Sequence, residues 1–304
     1  MPSTRSPRIS RGAALGLALG TALAASLAMP ATAGAATRPA TLAVEPLGWT
    51  IDYTAAPGQI NKAVLNESLA AHGKITFVID DVVPMSIQSG TPCTYPVSRD
   101  HTKVSCTVPG QQTEFTYSIL KLDLGDGNDT VTYNNANTLP TYHSTLILGD
   151  GKDTATNTGS YDGNEIEGGP NADTIRAGRE AVVNGQGGND VIHGGALAGL
   201  QGGKDVDHVY ADGSDSRADG GAGNDFVYGG AGPQTLLGGS DAGKDTILGG
   251  PGNDTIRGGQ GDDIMYGNSG NDWIFGEDGN DKLYGGPGTD TLNGGPGRNV
   301  VHQD

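Results

Sequence analysis

From Gly220 to His302 the chain repeats one nine-residue phrase: GGAGNDFVY, GGAGPQTLL, a longer GGSDAGKDTIL, then GGPGNDTIR, GGQGDDIMY, GNSGNDWIF, GEDGNDKLY, GGPGTDTLN and GGPGRNVVH. The consensus is Gly-Gly-x-Gly-x-Asp-x-U-x with U apolar. The U places Val227, Leu236, Ile247, Ile256, Met265, Ile274, Leu283, Leu292 and Val301 keep that register throughout. An x-U-x triplet is a very short strand with a single inward residue, so each unit has to stack on a like unit. A disordered acidic tail has no reason to place an apolar residue two positions after each Asp. Gly at the first, second and fourth places is expected to take positive φ and expose carbonyls. Asp at the sixth supplies a hard carboxylate oxygen of the kind Ca2+ favours. One buried aliphatic side chain per nine residues cannot offset the entropy of ordering them, so a cation is expected to be part of the fold.

Composition divides the chain at the same level. Of 52 glycines, 43 lie beyond residue 120, and residues 121–304 carry 10 Lys or Arg against 28 Asp or Glu. That half has no basic groove for phosphates, which excludes nucleic-acid binding, and it has no three-residue Gly period, which excludes collagen.

These units resemble the calcium-binding nonapeptide repeats of RTX (hemolysin-type) proteins. The resemblance implies an all-β fold, a right-handed parallel β-roll or β-helix of calcium-binding repeats, in which two nonapeptides make one coil of about 18 residues. Asp side chains one coil apart should then form columns. Asp129, Asp153, Asp173, Asp190, Asp207 and Asp225 read as one column, which continues through Asp245, Asp263 and Asp281; Asp254, Asp272 and Asp290 form a second on the opposite side. Several Ca2+ ions, about eight to ten on the family's coordination, are expected between Asp pairs. Gln234 and Asn299 stand at sixth places without the charge of Asp, so their sites should be weak or empty. The helix is expected to be one-sided over residues 120–219 and regular over 220–304.

Upstream, Arg5, Arg8 and Arg11 precede an apolar run from Ala13 to Ala28 and then small residues. This reads as a secretory signal peptide over residues 1–36, cleaved after Ala33 or Ala35; no other segment is apolar enough to cross a bilayer as a helix. The protein is expected to be secreted and extracellular. Residues 37–119 alternate in hydrophobicity, as in Ile51 and Tyr53 or Ile75, Phe77 and Ile79, which argues for a small β-rich domain capping the first coil. Within it, residues 63–73 fit either a short helix or a strand. Cys93 and Cys106 are expected to pair in an oxidising exterior, against the alternative of two buried thiols.

Catalytic signatures are missing: there is no H-E-x-x-H and no G-x-S-x-G, and Gly238, Gly243 and Lys244 have P-loop spacing but are followed by Asp245 instead of Ser or Thr. A leader at the N-terminus also departs from RTX toxins and proteases, which use a C-terminal export signal, so their activities are not carried over. The expectation is a structural, adhesion or envelope and matrix module. The competing reading is an extracellular enzyme or carbohydrate-binding protein, with Tyr210, Tyr228, Tyr266, Trp273 and Tyr284 stacking on a cell-envelope or matrix polysaccharide.

Overall fold

The computed structural model describes residues 38–44, 50–109, 117–135, 142–159 and 163–303. The leader, Trp49 and Phe115 lie outside them. The described chain winds through two sheets, one of 13 strands and one of 14, joined in a parallel β-solenoid. From Tyr117–Asp123 in the first sheet and Thr130–Asn135 in the second, successive strands alternate between the two, ending with Thr291–Asn293 and Val300–His302.

Parallel pairing sets each apolar U place on its counterpart one coil away: Ile247 on Met265, Met265 on Leu283, Ile256 on Ile274 and Ile274 on Leu292. A strand of three to six residues buries only this residue and often one glycine, so the late coils enclose a core one side chain wide. Val227, Leu236, Ile247, Ile256, Met265, Ile274 and Leu283 are fully buried, whereas Leu292 is half-buried and Val301 is 47% exposed. The expectation of burial therefore fails at Val301, because its strand has a neighbour on one side only.

Nearer the N-terminus the solenoid is thicker. Leu120, Leu122, Leu124, Val131, Tyr133, Leu146 and Leu148 give these coils several buried side chains each. Ile51–Thr54 pairs in parallel with Tyr117–Asp123, and Lys62–Leu69 with Thr130–Asn135, so these two early strands form a coil of the same solenoid. Antiparallel strands are added beyond it: Ala40–Val44 against Ile51–Thr54 in one sheet, and in the other Lys74–Asp80 against Lys62–Leu69 and Lys103–Pro109 against Lys74–Asp80. Residues on both sides of position 120 thus share both sheets and one core. A disulfide joins Cys93 to Cys106 across paired strands.

Of the two readings of residues 63–73, the structure has the strand, followed by a single 3-10 turn at Ala71–Gly73. Ala63, Leu65 and Glu67 point inward, and Glu67 accepts a hydrogen bond from the Tyr133 hydroxyl. No helix among the described residues is long and apolar enough to cross a membrane.

Candidate metal centre

From Asp129 to Asp281, each turn that enters the second sheet carries a sixth-place Asp, and these turns stack. The Oδ1 of every Asp accepts the main-chain N–H of its counterpart one coil earlier: Asp129 to Asp153, Asp153 to Asp173, Asp173 to Asp190, Asp190 to Asp207, Asp207 to Asp225, Asp225 to Asp245, Asp245 to Asp263 and Asp263 to Asp281, at 2.7–3.0 Å. The sequence separations run from 17 to 24, yet the bond length barely changes. On the opposite corner Gln234, Asp254, Asp272 and Asp290 make the same chain at 2.8–2.9 Å. Earlier coils place Ser144, Asn164, Ala198 and Ser216 on that corner.

The fifth place, read as variable in the sequence, has a part as well. Asn253 accepts the N–H of Asn271, Asn271 that of Thr289, Asn280 that of Arg298 and Asn224 that of Lys244, at 2.7–3.0 Å. These bonds run opposite to those of the sixth place, so adjacent coils are stapled in both directions. The recurrent Asn-Asp pair in the phrase was the available signal for it.

What remains unused is the other carboxylate oxygen. The Oδ2 atoms of Asp129, Asp153, Asp173, Asp190, Asp207, Asp225, Asp245, Asp254, Asp263, Asp272, Asp281 and Asp290 are all inaccessible to solvent and have no hydrogen-bond partner. Buried carboxylate oxygens are normally paired, so twelve alike call for a cation. The first-place glycines explain where it fits. They do not take positive φ as expected; those belong to the second and fourth places, such as Gly259 and Gly261. Instead they face inward beside the unused oxygen. A Cβ on Gly258 would lie 2.5 Å from Asp263 Oδ2 and 2.7 Å from the Gly276 carbonyl oxygen of the next coil, and one on Gly249 would meet Asp254 Oδ2 and the Gly267 carbonyl at 2.7 and 2.5 Å. The missing side chain leaves a notch where a carboxylate and a main-chain carbonyl approach one another. Among the described residues no three His, Cys, Asp or Glu side chains converge, so carbonyls have to complete the six to eight oxygens Ca2+ takes. This donor set, hard oxygens only, fits calcium.

Burial dominates the electrostatics. Desolvation, partly opposed by the backbone N–H each carboxylate accepts, pushes Asp207 up to about 8, Asp129, Asp173, Asp190, Asp245 and Asp254 to about 7, and Asp153, Asp225 and Asp263 to about 6. Asp272 and Asp281 are raised for the same reason. Without a cation the fold thus favours the neutral acids.

At three of the places without Asp, a side-chain donor turns to a main-chain carbonyl. Ser216 Oγ donates to the Gly195 carbonyl at 2.8 Å, Gln234 Nε2 to the carbonyls of Gly213 and Ala231 at 3.3 Å, and Asn299 Nδ2 to that of Gly295 at 2.9 Å.

Comparison with curated proteins gives no match. The family model for the RTX calcium-binding nonapeptide repeat matches in four copies, at residues 182–196, 201–233, 239–274 and 266–301. The matched residues include the stacked turns of the late coils just described, and over residues 182–301 this chain accordingly carries RTX calcium-binding nonapeptide repeats, a β-roll that binds several calcium ions.

Proposed function

We propose that the chain is an exported protein whose solenoid folds on calcium outside the cytoplasm and serves as a structural module in adhesion or in envelope or matrix association. The twelve partnerless buried Asp oxygens carry this reading. The Arg-led apolar segment before Ala33 and the Cys93–Cys106 disulfide support export. Residues 37–119 act as a cap, their antiparallel strands covering the edge that the first coils would otherwise expose.

Calcium is held between Asp pairs one coil apart, each ion drawing on the Oδ2 atoms and the glycine carbonyls at the notches. Asp272 belongs to two such pairs, with Asp254 and with Asp290, whereas Gln234, whose Nε2 donates to the Gly213 and Ala231 carbonyls, brings no charge to its pair with Asp254. Asp272→Ala is expected to lower calcium affinity and cooperativity clearly in calorimetric titration, and Gln234→Ala to change them little. Equal behaviour of the two variants would refute the pairing.

One observation favours a second reading, a carbohydrate-binding solenoid. On the outer face of the first sheet a depression of about 390 Å³ is lined by Glu165, Glu167, Asn184, Gln201, Arg217 and Asp219. None of these is a column Asp, and amides with carboxylates suit sugar hydroxyls. The tyrosines singled out in the sequence contribute less, because Tyr210 and Tyr228 stack on each other at 4.6 Å, as Tyr266 and Tyr284 do at 4.8 Å, which takes one face of each ring. A neutral soluble glucan should bind several-fold more weakly to the Glu167→Gln, Asp219→Asn double variant in affinity electrophoresis; unaltered migration would remove this reading.

A further inference from the structure

We propose that a further divalent-cation site lies outside the repeats, where the N-terminal strands meet the first coil, formed by Asn61 Oδ1 and Asp129 Oδ2 beside the buried carboxylate of Asp81. It rests on the reading of the column Asp residues as calcium ligands and extends it to residues that no repeat motif contains.

The column does not begin at Asp129. Asn61 occupies the sixth place of a degenerate turn: its N–H donates to Asp129 Oδ1 at 2.6 Å and its carbonyl accepts from Thr130 N–H at 2.9 Å, the same pair of bonds that Asp129 makes with Asp153 and Thr154. The main-chain oxygen of a repeat is also in place. A Cβ on Gly127 would collide with the Gln59 carbonyl, as one on Gly279 would with the Gly261 carbonyl. The segment preceding Lys62 thus copies the path of a repeat turn, with Gln59 where a repeat has its fourth-place glycine.

Asn61 is fully buried and its Oδ1 has no partner. The amide is held in that orientation because its Nδ2 donates to Tyr53 Oη at 2.6 Å and to Asp81 Oδ2 at 2.8 Å. Asp81 itself is 3% exposed and fully hydrogen-bonded, receiving the N–H groups of Lys62 and Val82 on Oδ1 and the Tyr53 hydroxyl on Oδ2. No Lys, Arg or His forms an ion pair with Asp81 or Asp129 among the described residues. Two buried carboxylates, one amide oxygen without a donor and one bare Asp oxygen therefore adjoin with no positive charge among them, an arrangement a cation completes.

Asn299, the same residue type at the far end of the same column, is the internal control. Its Nδ2 turns back to the Gly295 carbonyl and its Oδ1 accepts the Asp281 N–H, so both amide atoms are used. At Asn61 the Tyr53–Asp81 pair draws the Nδ2 away and leaves the oxygen bare. An ion there would tie the strand Lys62–Leu69 and the turn after Lys74–Asp80 to the first coil.

The test counts calcium on the full-length protein by equilibrium dialysis, alongside melting temperatures with calcium and with chelator. Asn61→Ala should bind one ion fewer than the parent. Asn61→Asp should keep the count and bind one ion more tightly; it should melt lower than the parent in chelator, where three carboxylates adjoin, and regain that loss in calcium. An unchanged count in Asn61→Ala, or an Asn61→Asp variant that loses equal stability in both conditions, overturns the proposal. Asp272→Ala run in parallel separates the two readings. Loss of ions there with none at Asn61→Ala refutes this site alone, and no loss in either refutes the column as well.

Discussion

Transferred from calcium to chelator at pH 8, the protein is expected to lose most of its β-sheet circular dichroism, with residues 120–303 becoming fast-exchanging in hydrogen–deuterium measurements. The late coils bury one apolar side chain per strand, whereas each of the twelve Asp oxygens left bare costs on the order of 1–3 kcal/mol. Their sum rivals or exceeds the roughly 5–15 kcal/mol that holds an ordinary domain together. The sign of the pH effect is fixed by the raised carboxyls. A folded-state pKa of about 6–8 against an ordinary value near 4 means that the folded chain binds more protons, so stability in chelator rises as pH falls through 8 to 6 and is lost as pH rises again. Acidification to pH 5 in chelator should therefore restore part of the β signal. Spectra alike with and without calcium at pH 8 would refute metal-driven folding, and a signal that declines steadily from pH 8 to pH 5 in chelator would refute the burial argument.

A single methyl group at the notch should come next in effect. Gly258→Ala puts a carbon 2.5 Å from Asp263 Oδ2 and 2.7 Å from the Gly276 carbonyl, closer than real contacts allow. Either the coils part or the two oxygens diverge, at about 1–3 kcal/mol for the overpacking, and the calcium site they form is lost with it. Gly199→Ala is the matched comparison. Gly199 lies in the strand Gly199–Lys204, and an added Cβ meets nothing within 4 Å. It should melt at or slightly above the parent temperature, since Ala in a strand is favoured over Gly by about 0.5–1 kcal/mol. Both variants would be read by thermal melts in saturating calcium and by calcium count. A Gly258→Ala protein that melts with the parent and binds as many ions would show that the first-place glycine is not kept for space.

The resemblance carried by the phrase implied the parallel stacking and the coil of two nonapeptides, and the repeated register of the phrase then aligned the sixth-place residues. Even the irregular coils were legible, since Asp129, Asp153 and Asp173 each stand two residues before Val131, Ala155 and Ile175, a local mark that survives loops of different length. What escaped had lost that mark. Around Asn61 the segment AAPGQINKA has no acid and its one glycine, Gly58, stands out of the register of the phrase, and only the pairing of Lys62–Leu69 with Thr130–Asn135 discloses a coil there. Glu67 hid the period of its strand by being polar and inward, its burial made tolerable by Tyr133, which comes from a distant part of the chain. The first-place glycine was given a conformational role when its actual constraint is steric, and that depends on a carbonyl one coil away that no local pattern encodes.

The Asp ladder also bears on how long such a protein has to be. Every sixth-place side chain answers only to the coil before it and the coil after it, and the bond holds at 2.7–2.8 Å whether the sequence separation is 17, 20 or 24. Nothing in an interior coil registers how many others exist. Duplication or loss of a whole coil therefore leaves each remaining side chain in its former surroundings, and length becomes a quantity that can drift or be selected by tandem duplication without redesign of the core. The span of the rod, and with it the distance between whatever its two ends hold, is thus open to change in steps of one coil, about 4.8 Å at a time.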